Sequence, residues 1–294
     1  MIDSKYKTKN DKLIKPSYSL LLFNNKKNLT NETKALIKRL YLQIYRKPSS
    51  TFASIIQSLL WLILFSALFH KAPINMIGKY NVKYFSFLSY GLIIFTAFTS
   101  SVNTGLPIIF DREFGFFNRL LISPLMYKST ILFSLLTYAL TISLIQVVFI
   151  LATSIYVSKL VLPINNIITI INITCLVILN IANISITIGL ILPGHIEFLA
   201  FTLLINLPAL FSSTIIAPLN FMPYWLQIFA CINPLTYATE IIRHICINKE
   251  LAINIKIIEN IWFQLNLAQS LTILIIINIL SFIFTYIILQ YKYN

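Results

Sequence analysis

Few groups in this 294-residue chain could do covalent or metal chemistry. There are three histidines (His70, His195 and His244), three cysteines (Cys175, Cys231 and Cys246) and nine acidic residues. Haem or zinc sites want paired ligands close together, and these histidines are scattered. A buried carboxylate pair, as an aspartate-based prenyl transferase or a proton relay needs, is missing; His195 and Glu197 fall at a span end. No glycine loop with lysine cradles a phosphate, so the chain cannot hydrolyse ATP by that route. What stands out is a polar island, Asp111–Pro124, reading DREFGFFNRLLISP between the apolar runs Tyr84–Phe110 and Ser129–Val157. Asp111, Arg112, Glu113, Gly115 and Arg119, followed by Leu-Leu-x-Ser-Pro, fit a surface that touches another protein. The plainer reading is that these charges solvate a turn and anchor it among lipid headgroups.

The rest of the chain must place that island. Hydrophobic residues make up 57% of it and charged residues only 11%, with a mean hydropathy of +0.81. A soluble domain carries roughly 25% charged residues, so the bilayer is the expected solvent. Crossing it takes about 20 apolar residues. The net charge of +14 does not point to nucleic acid, because twelve of the 23 basic residues fall between Lys5 and Lys47. A membrane protein that keeps a basic N-terminus on the positive-inside face accounts for them. The first fifty residues hold no apolar core for a cleavable signal peptide. Abundant Ile, Asn, Lys, Phe and Tyr with only 6 Gly suggest AT-rich codons, as in an organellar genome or an AT-rich bacterium.

The expected fold is an all-α integral membrane protein. Residues 1–30 form a basic tail, 31–47 an amphipathic helix on the membrane surface, and 48–294 a six-span domain. Leu36, Leu40 and Ile44 give the surface helix its apolar stripe, and Lys34, Lys38 and Arg39 its basic side. Pro48 breaks it, leaving Ser49 or Ser50 to cap the next helix. The spans are expected near Thr51–Phe69, Tyr84–Phe110, Ser129–Val157, Pro163–Leu192, Glu197–Ala217 and Ala268–Gln290, with a sharp turn at Pro193-Gly194. With the N-terminus inside, Arg112, Arg119, Lys128 and Lys292 join the twelve to make sixteen inner basic residues. Lys71, Lys79, Lys83, Lys159, Arg243, Lys249 and Lys256 make seven outside. Gln57, Asn103, Gln146, Asn180, Asn183 and Asn206 lie within spans, either as interhelical glue or along a substrate path.

Between Pro218 and Leu267 the chain is too apolar for an ordinary loop, and Pro218, Pro223 and Pro234 break it into pieces. Tyr224 and Trp225 suit a membrane–water boundary. Short re-entrant helices dipping into the outer leaflet are one reading; an apolar loop packed on the span ends is the other. Cys231 and Cys246 would be about 22 Å apart on one continuous helix, too far for a disulfide unless the chain breaks near Pro234.

Two segments carry a family resemblance. Arg112-Glu113-x-Gly115 with Arg119-Leu120-Leu121-x-Ser123-Pro124 resembles the segment after the second span of ABC-2 type transport permeases. Pro218-x-x-x-Met222-Pro223-x-Trp225-Leu226, then Asn233-Pro234-Leu235-x-Tyr237 and Arg243, is similar to the family's second signature before the last span. The resemblance covers roughly Asn31 to the C-terminus. It implies a permease that pairs as a homodimer in the lipid bilayer and docks a separate ABC ATP-binding subunit. ATP and Mg would sit on that partner, and this chain would bind no cofactor or metal. Arg112, Glu113 and Arg119 would then make charged contacts with the ATPase, and Gly115 would allow the turn into a coupling helix. Pro223, Trp225, Asn233, Pro234, Tyr237 and Arg243 would belong to an outer gate. The family often has an acidic residue where Asn118 stands, and small or polar residues where Phe116 and Phe117 stand.

The resemblance implies an exporter of a lipid, glycan or drug-like substrate. With the AT-rich bias it also suggests a plastid-encoded algal member in a thylakoid or inner envelope membrane, or else a bacterial inner membrane protein. Two other functions stay open: a secondary transporter or channel without an ATPase, and a cofactor-assembly subunit of the haem-maturation kind. A coupled carrier should show ionisable residues at the membrane midplane.

Overall fold

The computed structural model describes residues 25–46, 48–69, 84–122, 129–158, 163–248, 256–259 and 264–293. The basic tail up to Asn24, His70, Ser123-Pro124, and Lys47, Lys71, Lys79, Lys83, Lys128, Lys159 and Lys249 lie outside the described residues. Helix α1 (Asn25–Arg46) is amphipathic and starts six residues ahead of the expected Asn31, inside the segment expected to be tail. Leu36 and Leu40 are buried while Lys34 and Lys38 are exposed. It packs on α6 (Ser129–Ser158), where the Tyr41 hydroxyl donates to Thr141 Oγ1 at 2.6 Å. Neither Ser49 nor Ser50 caps α2 (Ser49–Leu68); the capping residue is Pro48, with no side-chain bond. Its ring already holds φ at −73°, near the helical value, so α2 starts directly after α1.

Helix α3 (Tyr84–Val102) is buried from Ser86 to Val102 and forms the hub of the bundle, against α2, α6, α7 (Ile164–Ile191) and α10 (Pro234–Asn248). An apolar helix hydrophobic all round belongs in such a place. A 3-10 turn at Asn103–Gly105 leads into α4 (Leu106–Glu113), with Pro107 in its first turn. The second span therefore runs past Phe110 to Glu113, and Asp111, Arg112 and Glu113 form its last turn instead of a separate loop. After the turn at Gly115 comes α5 (Phe116–Ile122).

Backbone contact sets the crossing of α3–α4 with α7. The Gly105 N–H donates to Ser185 Oγ at 2.9 Å. A Cβ on Gly105 would stand 2.6 Å from the Ser185 carbonyl oxygen, and one on Gly189 would stand 2.8 Å from Ile108 Cγ2. Small residues let apolar helices approach this closely in lipid. Gly105→Ala is expected to destabilise the protein by roughly 1–3 kcal/mol through overpacking, read as a lower thermal midpoint in detergent. Gly115→Ala, with nothing within 4 Å of its Cβ but φ at +70°, should cost only about 1 kcal/mol.

Helices α7 and α11 (Leu267–Tyr293) run side by side in the same direction. Asn278 Nδ2 donates to the Leu176 carbonyl, Thr285 Oγ1 to Asn183, and Lys292 Nζ to Leu190, at 3.0, 3.1 and 2.6 Å. These links recur every seven residues along both helices. The in-span polar groups divide accordingly. Gln146, Asn180 and Asn183 are buried, while Gln57 and Asn103 are exposed.

Among the described residues, five helices are long and apolar enough to cross a membrane: Thr51–Leu68, Tyr84–Glu113, Ser129–Ser158, Ile164–Ile191 and Leu267–Lys292. The expected fifth span, Glu197–Ala217, is instead the 17-residue α8 (His195–Phe211). At its end the Ala209 carbonyl accepts Asn233 Nδ2 and the Leu210 carbonyl accepts Ser213 Oγ, and beyond it the carbonyls of Thr214, Ile215 and Ile216 accept bonds from Arg243 and Tyr84. A 3-10 turn at Leu219–Phe221, α9 (Tyr224–Ile232) and α10 follow. Strands β1 (Lys256–Glu259) and β2 (Gln264–Asn266) then pair antiparallel. This small hairpin departs from the all-α expectation, and the paired isoleucines of β1 suit a strand. All three cysteines are free thiols.

Candidate functional site

The polar island is built into a collar of charges at one end of the bundle, here the Glu113 end. Four elements terminate there, and helix ends leave backbone groups without partners. Arg112 Nη1 donates to the carbonyls of Gly189, Leu190 and Leu192 at 2.8, 3.0 and 2.8 Å, and Lys292 Nζ shares the Leu190 oxygen. Two cations thus close the C-terminal end of α7, where the helix dipole favours positive charge. Glu113 serves the opposite kind of end. Its Oε1 accepts the His195 backbone N–H at 2.7 Å, and its Oε2 lies 2.7 Å from His195 Nδ1. The carboxylate so caps the start of α8.

Asp111 faces another way. It is 7% exposed and meets Arg39 of α1 in a bidentate pair, Nη1 to Oδ1 at 2.8 Å and Nη2 to Oδ2 at 2.5 Å. This fork geometry is the strong form of the interaction. The same guanidinium lies 4.3 Å over the Phe116 ring. One side chain of α1 therefore holds both the last turn of α4 and the first residue of α5. Phe117 and Leu120 anchor α5 underneath. Beyond the positive-φ turn, Phe114 (79% exposed) and Ile122, with Asn118 and Arg119, point outward.

Of the four residues expected to face a partner, Gly115 makes the turn and Arg119 stands on the surface with no ion pair among the described residues. Arg112 and Glu113 are engaged by the chain's own helices. Sequence reading gave Arg39 only to a basic helix face and gave His195 and Lys292 no role at this site. Asp111 and Arg39 are 72 residues apart, so no local pattern could pair them.

The second group gathers at the other end of α3. Pro223 precedes α9, and Trp225 is exposed. Asn233 links three segments: Oδ1 accepts the Leu235 N–H at 3.0 Å, and Nδ2 donates to the Ala209 carbonyl and Ser212 Oγ at 3.0 and 3.1 Å. Pro234 opens α10, a helix position where its missing N–H costs nothing. Tyr237 donates its hydroxyl hydrogen to the Cys231 carbonyl. Arg243, counted from sequence on the outer side of the membrane and in the outer gate, is 0% exposed. It donates to the carbonyls of Phe87, Thr214 and Ile215 at 3.2, 2.6 and 2.8 Å and to Glu240 Oε1 at 2.9 Å, with its guanidinium 3.5 Å over the Phe87 ring. A Cβ on Gly91 would come 3.0 Å from Arg243 Nη2. Arg243 joins α3, α10 and the turn after α8 because every donor finds an acceptor there; as a surface charge it would do none of this. Glu240 and His244, both buried, were missed as ionisable groups within the bundle.

Residues 31–247, from within α1 to the end of α10, match the ABC-2 type transporter family. The chain belongs to that family. The second cluster and all of the collar but Lys292 fall inside the matched segment of this ABC-2 permease, and the hairpin and α11 follow it. The permease is 44% identical over 253 residues to the ycf38 transport permease of Porphyra purpurea, covering 86% of this chain and 87% of the relative. Against that of Pyropia yezoensis the identity is 46% over 269 residues, 91% of each chain. Against that of Cyanophora paradoxa it is 44% over 248 residues, 84% of this chain and 85% of the relative. These organisms, two red algae and a glaucophyte, carry plastid genomes. An ABC-2 permease is a multi-pass transport protein, not an enzyme, and the family implies an ABC transporter with an ATP-binding subunit.

Proposed function

We propose that this permease is the membrane half of an ATP-driven exporter. It receives the work of a separate ATP-binding subunit through the α4–α5 elbow. The carrying observation is the elbow's construction: a short helix that turns at Gly115, exposes Phe114, Arg119 and Ile122, and is tied through Arg39, Asp111, Arg112 and Glu113 to α1, α7 and α8. A push on such a foot moves several spans as one body. ATP and Mg bind the partner, two copies of this chain pair, and the collar faces the nucleotide side, as the count of basic residues supports.

Six crossings suit this reading. His195 meets Glu113 at one end of the α3–α4 rod, and Ile215 meets Gly91 near the other, about 33 Å away along the helix. Because α7 and α11 run the same way, the chain between them must return across the bilayer, and α8 with its following turn makes that return. Helices α9 and α10 then form the outer re-entrant pair that closes the exit. The plastid-bearing relatives favour a plastid membrane, thylakoid or inner envelope, and a lipid, glycan or drug-like cargo fits an exporter of this kind.

The buried Glu240–Arg243 pair could instead suggest an ion-coupled carrier. Its cation is fixed on three carbonyls near the start of α3, so it serves as a clasp. Arg119→Glu tests the coupling reading. With the ATP-binding subunit co-expressed, the variant should keep its thermal midpoint, because Arg119 is exposed, and lose most copurification and transport-coupled ATPase activity. Wild-type coupling in that variant would argue for a transporter without an ATPase.

A further inference from the structure

We infer that the cleft between the Glu113-end termini of α4, α7 and α11 binds the phosphate group of an anionic phospholipid. Arg112 and Lys292 converge there on the single Leu190 carbonyl oxygen. All three bonds of Arg112 use Nη1. Its Nη2 and Nε carry none among the described residues and are not sealed from the surface. Lys292 has further N–H donors and is exposed. The nearby carboxylates, Glu113 and Glu197, converge on Gly194 and His195 instead, and neither pairs with Arg112 or Lys292. Two neighbouring cations therefore share carbonyl acceptors and keep donors that no described group uses. An Arg fork beside a Lys ammonium matches a phosphodiester.

The cleft also sits at the right depth. It lies where the apolar stretches of the second, fourth and last long helices end, the level of lipid headgroups. Ile184 and Ile191 of α7 and Phe284 and Ile287 of α11 are exposed, leaving apolar surface on the same two helices for acyl chains. Basic pockets between spans on the cytoplasm-like side are established docking places for anionic headgroups. The lipid would stiffen the same α7 end that Arg112 closes, placing lipid composition in control of the elbow's anchorage.

Native mass spectrometry of the full chain, extracted from mixed phosphatidylcholine and phosphatidylglycerol bilayers, reads which lipid is retained. The wild-type chain should hold phosphatidylglycerol in preference. Lys292→Gln and Arg112→Gln should each lower that enrichment about fivefold, Lys292→Arg should keep it, and Lys38→Gln, an exposed cation away from the cleft, should leave it unchanged. Arg112→Gln also uncaps α7, so thermal midpoints accompany each measurement and Lys292→Gln decides the matter if the other does not fold. Equal retention of both lipids, or an enrichment that survives Lys292→Gln, overturns the site. Displacement of the lipid by inorganic phosphate overturns the lipid assignment and leaves a soluble-anion site.

Discussion

Arg39→Glu is expected to abolish transport-coupled ATPase activity and to lower stability by roughly 3 kcal/mol or more. Asp111 is nearly buried, and Arg39 supplies both of its charge-assisted bonds. Removing one member of such a pair leaves an uncompensated charge out of water, a loss of roughly 3–5 kcal/mol in buried cases; the partial exposure of Arg39 places it toward the lower end. Glutamate there adds like-charge repulsion and removes the cation over Phe116. Functionally, α1 would separate from the elbow, and a push on α5 would no longer be shared with it. The exchanged double variant Arg39→Asp with Asp111→Arg restores opposite charges at the contact, so it should recover stability well beyond either single variant. Unfolding midpoints and ATPase stimulation by the permease, measured on the same preparations, separate the two effects. Additive losses in the double variant would show that the pair is not a unit.

Arg243→Leu carries the second large effect. It strands the Glu240 carboxylate in the bundle and leaves the Phe87, Thr214 and Ile215 carbonyls without that donor. The expected loss is roughly 3–5 kcal/mol, read as a collapse of the detergent-stable fraction. Arg243→Lys should rescue little, because an ammonium cannot reproduce a planar fork spread over three carbonyls and an acid. Glu240→Gln, which keeps an acceptor oxygen for Arg243, should be the mildest change at the site. Near-wild-type stability in Arg243→Leu would mean that α10 and the turn after α8 are held on α3 by apolar packing alone.

Much of this architecture can be read from residue order. Long apolar runs with few charges force helices in a bilayer, and five of the six expected spans appear within a few residues of their predicted limits. The fifth span is shorter than expected: Asn233 takes the Ala209 carbonyl at the end of α8, and Arg243 and Tyr84 hold the carbonyls of the turn that follows, long-range contacts without local trace. The burial of Arg243 is not legible either, since its carbonyl acceptors at Phe87, Thr214 and Ile215 are brought to it only by the fold. At the collar, charge composition singled out the segment and Gly115 its turn, which the positive φ of Gly115 forms. Which charges look inward depends on partners 72 to 82 residues away, beyond any spacing rule. Arg119 is left as the outward-facing cation of the island.

The central claim is that work enters through the elbow from the nucleotide side of the membrane. A single cysteine at the exposed Asn118, in a chain whose Cys175, Cys231 and Cys246 are replaced by serine or alanine, tests it in sealed proteoliposomes carrying the ATP-binding subunit. A membrane-impermeant maleimide should react only from the side where ATP is hydrolysed, and modification should stop ATP-driven transport. Labelling from the opposite side, or full transport with the cysteine blocked, would contradict the account.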